Sequence, residues 1–233
     1  MKAMKRTFLF TYLSIALISF NVSAQSAYND HVIDTYISHK TVTDDHDFTY
    51  VGSPYLNEEF QKGIIYKGSL AVANNVGLRY NANKDIFEIK RKVTSKNNQA
   101  KYLVKTDDIS FQIKNNHFVF IPASKENNVP GYFILLYKGE NTSLYKKTKK
   151  LFIAGQKAYT SLARDVQPTY KGKEILYLGD AGGTLTELPS SKNGKIKTFN
   201  NHNKELKLYI KENNLNISKE YNLIKLVKYY DTL

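Results

Sequence analysis

Ile109-Ser110-Phe111-Gln112-Ile113-Lys114 is the stretch that decides the fold class. Ile109, Phe111 and Ile113 alternate with Ser110, Gln112 and Lys114, a period of two that puts one side of a strand in a core and the other in water. Twenty residues on, Tyr132, Ile134 and Leu136 stand against Phe133, Leu135 and Tyr137. Apolar on both sides, residues 131–137 read as a central strand buried on both faces.

Working outward, short apolar stretches recur about every ten residues, the rhythm of antiparallel strands joined by hairpins. Strands are expected at residues 63–67, 76–80, 86–91, 102–105, 117–121, 143–152 and 174–178. The turns between them are Asn- and Gly-rich clusters at 81–85, 96–99, 114–116, 125–131 and 138–141. No βαβ crossover is visible, so the chain reads as mainly β (α+β): an antiparallel meander, closed as a barrel or folded as a sandwich. The 18 tyrosines and 12 phenylalanines, against five prolines and 12 glycines, fit an aromatic-rich β protein.

Past residue 189 the period moves from two towards 3.6. Asn201 is placed to cap a helix with Leu206, Tyr209 and Ile210 on one face, ended by Asn213-Asn214. Ser218 is placed to cap a second, with Leu223, Leu226, Val227 and Tyr230 at helical spacing. This pair of amphipathic helices either packs on its own sheet or, with its lysines at 204, 207, 211, 219, 225 and 228, lies on an anionic membrane.

The other end of the chain reads as an address. Lys2, Lys5 and Arg6 precede an apolar core at residues 8–20 and the small-residue site Val22-Ser23-Ala24, the pattern of a secretory signal peptide. Export to the periplasm or the outer-membrane periphery follows, and with no cysteine after the signal a lipoprotein anchor is not expected. The full division is residues 1–24 signal, 25–50 acidic arm, 51–188 antiparallel β domain and 189–233 helical cap. The arm lacks a sustained period and suggests no more than a short helix or strand near residues 31–39. No later stretch has the roughly 18 apolar residues of a membrane-spanning helix.

Charge is asymmetric. Residues 25–60 hold seven acids against Lys40 alone, whereas from residue 61 onward 30 lysines and arginines face 14 acids. An acidic arm thus precedes a basic body, which can attract an anionic surface or an acidic envelope protein. The bland alternative is a solvated lysine-rich surface. Nucleic acid is an improbable partner for an exported chain.

Chemistry-bearing motifs are scarce. Asp44-Asp45-His46-Asp47 is the densest set of metal-ligand types, but consecutive residues cannot converge, and a solvated acidic segment is the better reading. Gly179-Asp180-Ala181-Gly182-Gly183 lacks the Lys-Ser/Thr of a phosphate loop and reads as a hairpin turn, with Thr184-Leu185-Thr186 returning. The pairs Glu58-Glu59 and Asp107-Asp108 point to opposite strand faces. There is no Gly-x-Ser-x-Gly elbow, and no cofactor, metal or catalytic signature emerges. The interaction candidates are Lys146, Lys147, Lys149 and Lys150, four lysines within five positions. They form either a guarded sheet edge or a basic docking face. Arg79 and Tyr80 are candidates for packing or site, with Glu88 the carboxylate expected to pair with Arg79 across the turn.

Gly52-Ser53-Pro54-Tyr55-Leu56 with Glu59-Phe60, and Leu78-Arg79-Tyr80-Asn81 followed by Asp85 and Phe87-Glu88-Ile89-Lys90, carry a likeness. It resumes at Gly131-Tyr132-Phe133, Leu144-Tyr145-Lys146-Lys147 and Leu223-Ile224-Lys225-Leu226-Val227-Lys228-Tyr229-Tyr230. On these residues the chain resembles a widespread group of exported Gram-negative envelope proteins without an assigned function. The resemblance implies an envelope location and no chemistry. The expectation is therefore a non-enzymatic binding or interaction protein of the envelope. The alternative is a carrier of a lipid or other apolar ligand in a barrel-like pocket. An enzyme built from distant residues such as His117 and Asp107 is the weakest reading.

Overall fold

A computed structural model describes residues 32–43, 49–160, 163–199 and 202–233. The signal pattern, the 44–47 cluster and Asn201 lie outside the described residues. Eleven strands form one antiparallel sheet: β1 (Ile37–Thr41), β2 (Gln61–Lys67), β3 (Leu70–Asn81), β4 (Ile86–Lys90), β5 (Lys101–Leu103), β6 (Ile109–Ile113), β7 (Asn116–Ile121), β8 (Gly131–Lys138), β9 (Thr142–Ile153), β10 (Thr169–Asp180) and β11 (Leu185–Glu187). Their spatial order is β1-β5-β4-β3-β2-β6-β7-β8-β9-β10-β11. Two meanders therefore run in opposite directions from the β2–β6 seam, β2 to β5 one way and β6 to β11 the other.

The sheet is open but strongly rolled. Phe87 on β4 and Tyr132 on β8 are five strand positions apart, about 24 Å on a flat sheet. Their ring centroids lie 4.9 Å apart, edge to face. Phe111, Phe118 and Tyr80 pack into the same stack, at 4.4–5.1 Å from Phe87. Ile109, Phe111 and Ile113 all face this core, as their alternation requires. The strands form one sheet that does not close, so the architecture is neither a closed barrel nor a sandwich of two packed sheets.

At one end of the roll β8 and β9 part company. Their ladder runs from Lys138–Ser143 to Ile134–Lys146, and beyond it β9 takes the β3–β4 turn as its neighbour. There Lys150 N donates to Ala82 O at 3.0 Å, and Asn83 Nδ2 to Lys150 O at 2.8 Å. The turn bridges the split that a closing strand pair would otherwise fill.

Three helices follow the sheet: α1 (Lys192–Thr198), α2 (Asn203–Glu212) and α3 (Glu220–Tyr230). The sequence signalled only two. Gly194 and the lysines of α1 mask its helical period, and Ser191 Oγ caps it by accepting from Gly194 N at 3.1 Å. The cap residue of α3 is Lys219 rather than Ser218, with no side-chain bond. Leu206, Ile210, Leu223, Leu226 and Val227 are buried with Leu144 and Leu178 of β9 and β10. The apolar stripes of α2 and α3 are thus spent on their own sheet.

Part of the acidic arm is structured. A helical turn at residues 32–34 buries Ile33 in the core, β1 pairs with β5, and Asp34 forms an ion pair with Arg91. Residues 32–41 are therefore the first edge of the sheet, a helical turn and a strand where the sequence suggested a short helix or strand near residues 31–39. The Gly-rich motif forms the β10–β11 hairpin, with Gly183 at φ +86°.

Candidate functional site

Where β8 and β9 diverge, Asp85 fills the gap. It sits in the β3–β4 turn at φ +54°, which aims its carboxylate into the split. Oδ1 accepts from the Tyr80 hydroxyl at 2.5 Å and from Tyr132 N at 3.2 Å, replacing a ladder partner that β9 no longer supplies. Lys147 Nζ donates to Asp85 Oδ2 at 3.3 Å, Pro130 O at 3.2 Å and Tyr132 O at 3.4 Å, and lies 4.5 Å from the Phe133 ring centre. Three donors meet three acceptors.

Burial holds the Lys147 ammonium below the usual lysine range, with Asp85 opposing that shift and Lys149 adding to it. Burial likewise drives the Tyr80 and Tyr132 hydroxyls far above the ordinary tyrosine range, and Asp85 adds to both. Tyr80 is therefore a poor proton donor, and Lys147 has no proton free for another acceptor. The network ties the β3–β4 turn to β8 and β9.

The cleft over this network, about 500 Å³, is lined by Tyr80, Asp85, Lys147, Thr148, Lys149, Lys150 and Phe152. Four of the six residues singled out from sequence, Tyr80, Lys147, Lys149 and Lys150, meet there. Lys146 does not: it points to the helical side and pairs with Glu220 of α3 at 2.7 Å.

Arg79 also lies elsewhere, in a cage. It faces Glu88 across β3 and β4 at 2.7 Å, as the sequence suggested, and donates to the Tyr55 hydroxyl and Glu58 O, both at 3.1 Å. Its guanidinium stacks 3.9 Å from the Tyr55 ring centre and 4.4 Å from that of Phe60. Tyr55, Phe60, Arg79 and Glu88, all from motifs that carry the resemblance, meet here, and beside them Pro54 O accepts from Ala82 N and Leu56 N donates to Tyr80 O. Arg79 is thus held by a carboxylate, a hydroxyl, a carbonyl and two rings.

The lysine run is an edge only in part: beyond Lys146 it keeps β10 on one side and meets the β3–β4 turn, not β8, on the other. β9 lies between β8 and β10, because β10 begins at Thr169, five residues before its apolar stretch. Lys147 is buried and Lys146 is paired, whereas Lys149 and Lys150 are half-buried and make no ion pair among the described residues. Sequence reading missed their companions. Lys149 stands opposite Lys173, and Leu151 opposite Lys171. Leu151, Phe152 and Ile153 are exposed, as are Tyr159 and Val166 nearer the hairpin end. From 149 to 173 the chain carries six cations, Lys149, Lys150, Lys157, Arg164, Lys171 and Lys173, against Asp165 alone. That charge imbalance was countable in the sequence, but the pairing that concentrates it on one hairpin was not.

His117 stands opposite Gln112 on the β6–β7 ladder, its ring 6.0 Å from Tyr66, and burial lowers its pKa. No group of three or more metal-ligating side chains converges among the described residues. No helix among them is long and apolar enough to cross a membrane. No family model matches the chain, and neither a curated protein nor a solved structure is significantly similar to it.

Proposed function

We propose that the chain is an exported protein of the cell envelope that acts by binding, with the β9–β10 hairpin as its contact surface. The observation that carries this reading is the hairpin beyond Lys147, which exposes large apolar side chains among lysines that make no ion pair among the described residues. Export rests on the pattern of residues 1–24. The saturated Asp85–Lys147 network supports a role without a chemical step, since its groups are committed to holding the fold.

A carrier of an apolar ligand is the second reading, and the rolled sheet invites it. Its interior, however, holds Tyr80, Phe87, Phe111, Phe118 and Tyr132 in mutual contact, and this packing favours the binding reading over it. A carrier could use an outer cleft such as the one of about 410 Å³ beside β1, whose lining includes Asp34, His39 and Arg91.

Crosslinking in intact cells, followed by native mass spectrometry of the purified protein, tests the proposal. A specific envelope component attached through the hairpin lysines supports it. A free monomer carrying a stoichiometric apolar molecule overturns it in favour of the carrier.

A further inference from the structure

The register of β9 and β10 sorts the hairpin into two faces. Lys147 is opposite Ile175, Lys149 opposite Lys173, Leu151 opposite Lys171 and Ile153 opposite Thr169. Alternation then puts Lys149, Leu151, Ile153, Lys171 and Lys173 on one face. Phe152 turns to the other face and packs on Tyr170 at 5.1 Å, and Lys150 folds over Gly172 there.

On the first face, Lys149 and Lys173 are like charges directly opposite each other, an arrangement that weakens a sheet. Lys149, Lys171 and Lys173 make no ion pair among the described residues, and the nearby Asp85 is held by Lys147. Leu151 and Ile153 beside them are 53% and 44% exposed. A surface that accepts both cross-strand repulsion and exposed aliphatics is shaped for an occupant that is anionic and apolar together.

We infer that this face docks on an anionic lipid leaflet, with Lys149, Lys171 and Lys173 at the phosphate level and Leu151 and Ile153 entering the acyl boundary. The inference rests on the binding reading above and names its partner. Charge complementarity favours lipid over an acidic protein. The centres of protein interfaces are depleted in lysine, whereas lysines interspersed with aliphatics on one exposed face are what an element lying in a membrane interface presents. Each lysine at such a surface strengthens attachment by several-fold, and the attraction is screened within a Debye length.

The test uses protein recovered after expression of the full chain in a Gram-negative host, with its N-terminus read by mass spectrometry. Co-sedimentation compares phosphatidylcholine vesicles with vesicles containing about a third phosphatidylglycerol. The wild type is expected on the anionic vesicles alone, and the variant K149Q/K171Q/K173Q should bind on the order of a hundredfold more weakly. L151S/I153S should keep low-salt binding and lose it at physiological salt. Equal binding to neutral vesicles, or an unchanged triple variant that circular dichroism shows to be folded, overturns the inference. Capture by immobilised polyglutamate without vesicle binding overturns the lipid assignment but leaves the broader reading standing. Failure on both supports, with no crosslink in cells, removes both.

Discussion

Lys147 and Asp85, 62 positions apart, meet at 3.3 Å where β8 and β9 separate, and their ion pair binds the β3–β4 turn to the far side of the rolled sheet. Removing one member leaves the other buried without a counter-charge. Asp85→Asn should therefore cost about 3–5 kcal/mol in urea unfolding, and adding Lys147→Met should restore most of it. A single-variant loss under about 0.5 kcal/mol would show that the pair does not latch the fold.

The same pair sets a pH dependence. Burial lowers the folded-state pKa of Lys147 from 10.5, so between that depressed value and 10.5 the unfolded chain binds more protons. The Lys147 contribution thus makes stability rise with pH across that window. Subtracting the profile of Lys147→Met from that of the wild type should isolate a positive slope. A flat difference would mean that the ammonium is not desolvated.

Gly131 has its own stake in this site. At φ +131° it occupies backbone space that few L side chains reach, and a Cβ there would run into the Asp85 carboxylate and the Lys147 ammonium. Gly131→Ala should cost several kcal/mol, at least as much as losing the pair, and should couple strongly with Asp85→Asn in a double-mutant cycle. Additive losses would place the damage in the backbone alone.

How much of this was legible follows from range. The β6 alternation and the doubly apolar β8 were visible because their environments are written in consecutive residues. Arg79 with Glu88 was visible because one short turn separates them. Asp85 with Lys147 was not, since nothing in either local pattern points across the roll. The reading of Lys146, Lys147, Lys149 and Lys150 as a possible edge missed the β10 side for a related reason: Thr169-Tyr170-Lys171-Gly172-Lys173 extends β10 with residues that carry no apolar period. The strand forms there because β9 offers a ladder. Without that extension, Lys171 and Lys173 could not be seen to join the lysine face.

At the C-terminus, Asp231 fastens the helical cap to the β8–β9 turn. Its carboxylate accepts from the Tyr137 hydroxyl at 3.0 Å and from the amides of Glu140, Asn141 and Thr142 at 3.0, 3.0 and 2.6 Å. Desolvation pushes its pKa up, but these bonds outweigh it and hold the group below 3.8. Its contribution is present above that value and fades as pH falls through the lower folded-state pKa. Asp231→Ala should lose about 1–3 kcal/mol at neutral pH, with the deficit shrinking in acid. A deficit constant down to the acid limit would mean that the ionised carboxylate is not what the amides hold.

The like-charge pair at Lys149 and Lys173 predicts the opposite sign. Relieving it with Lys149→Gln should raise stability by about 0.2–1 kcal/mol, and Lys149→Glu, which converts repulsion into attraction towards Lys173, should raise it further. Thermal or urea unfolding at low salt reads both, and salt should narrow the difference because screening weakens the repulsion it removes. Most surface substitutions destabilise or do nothing, so a gain in this order ties the cost to the charge pairing rather than to packing. The same two substitutions should weaken docking on anionic vesicles in the same order. A surface that gains fold stability as it loses its ligand is one whose sequence is set by the ligand, whereas a variant that gains stability and binds unchanged would leave the lysine face without that explanation.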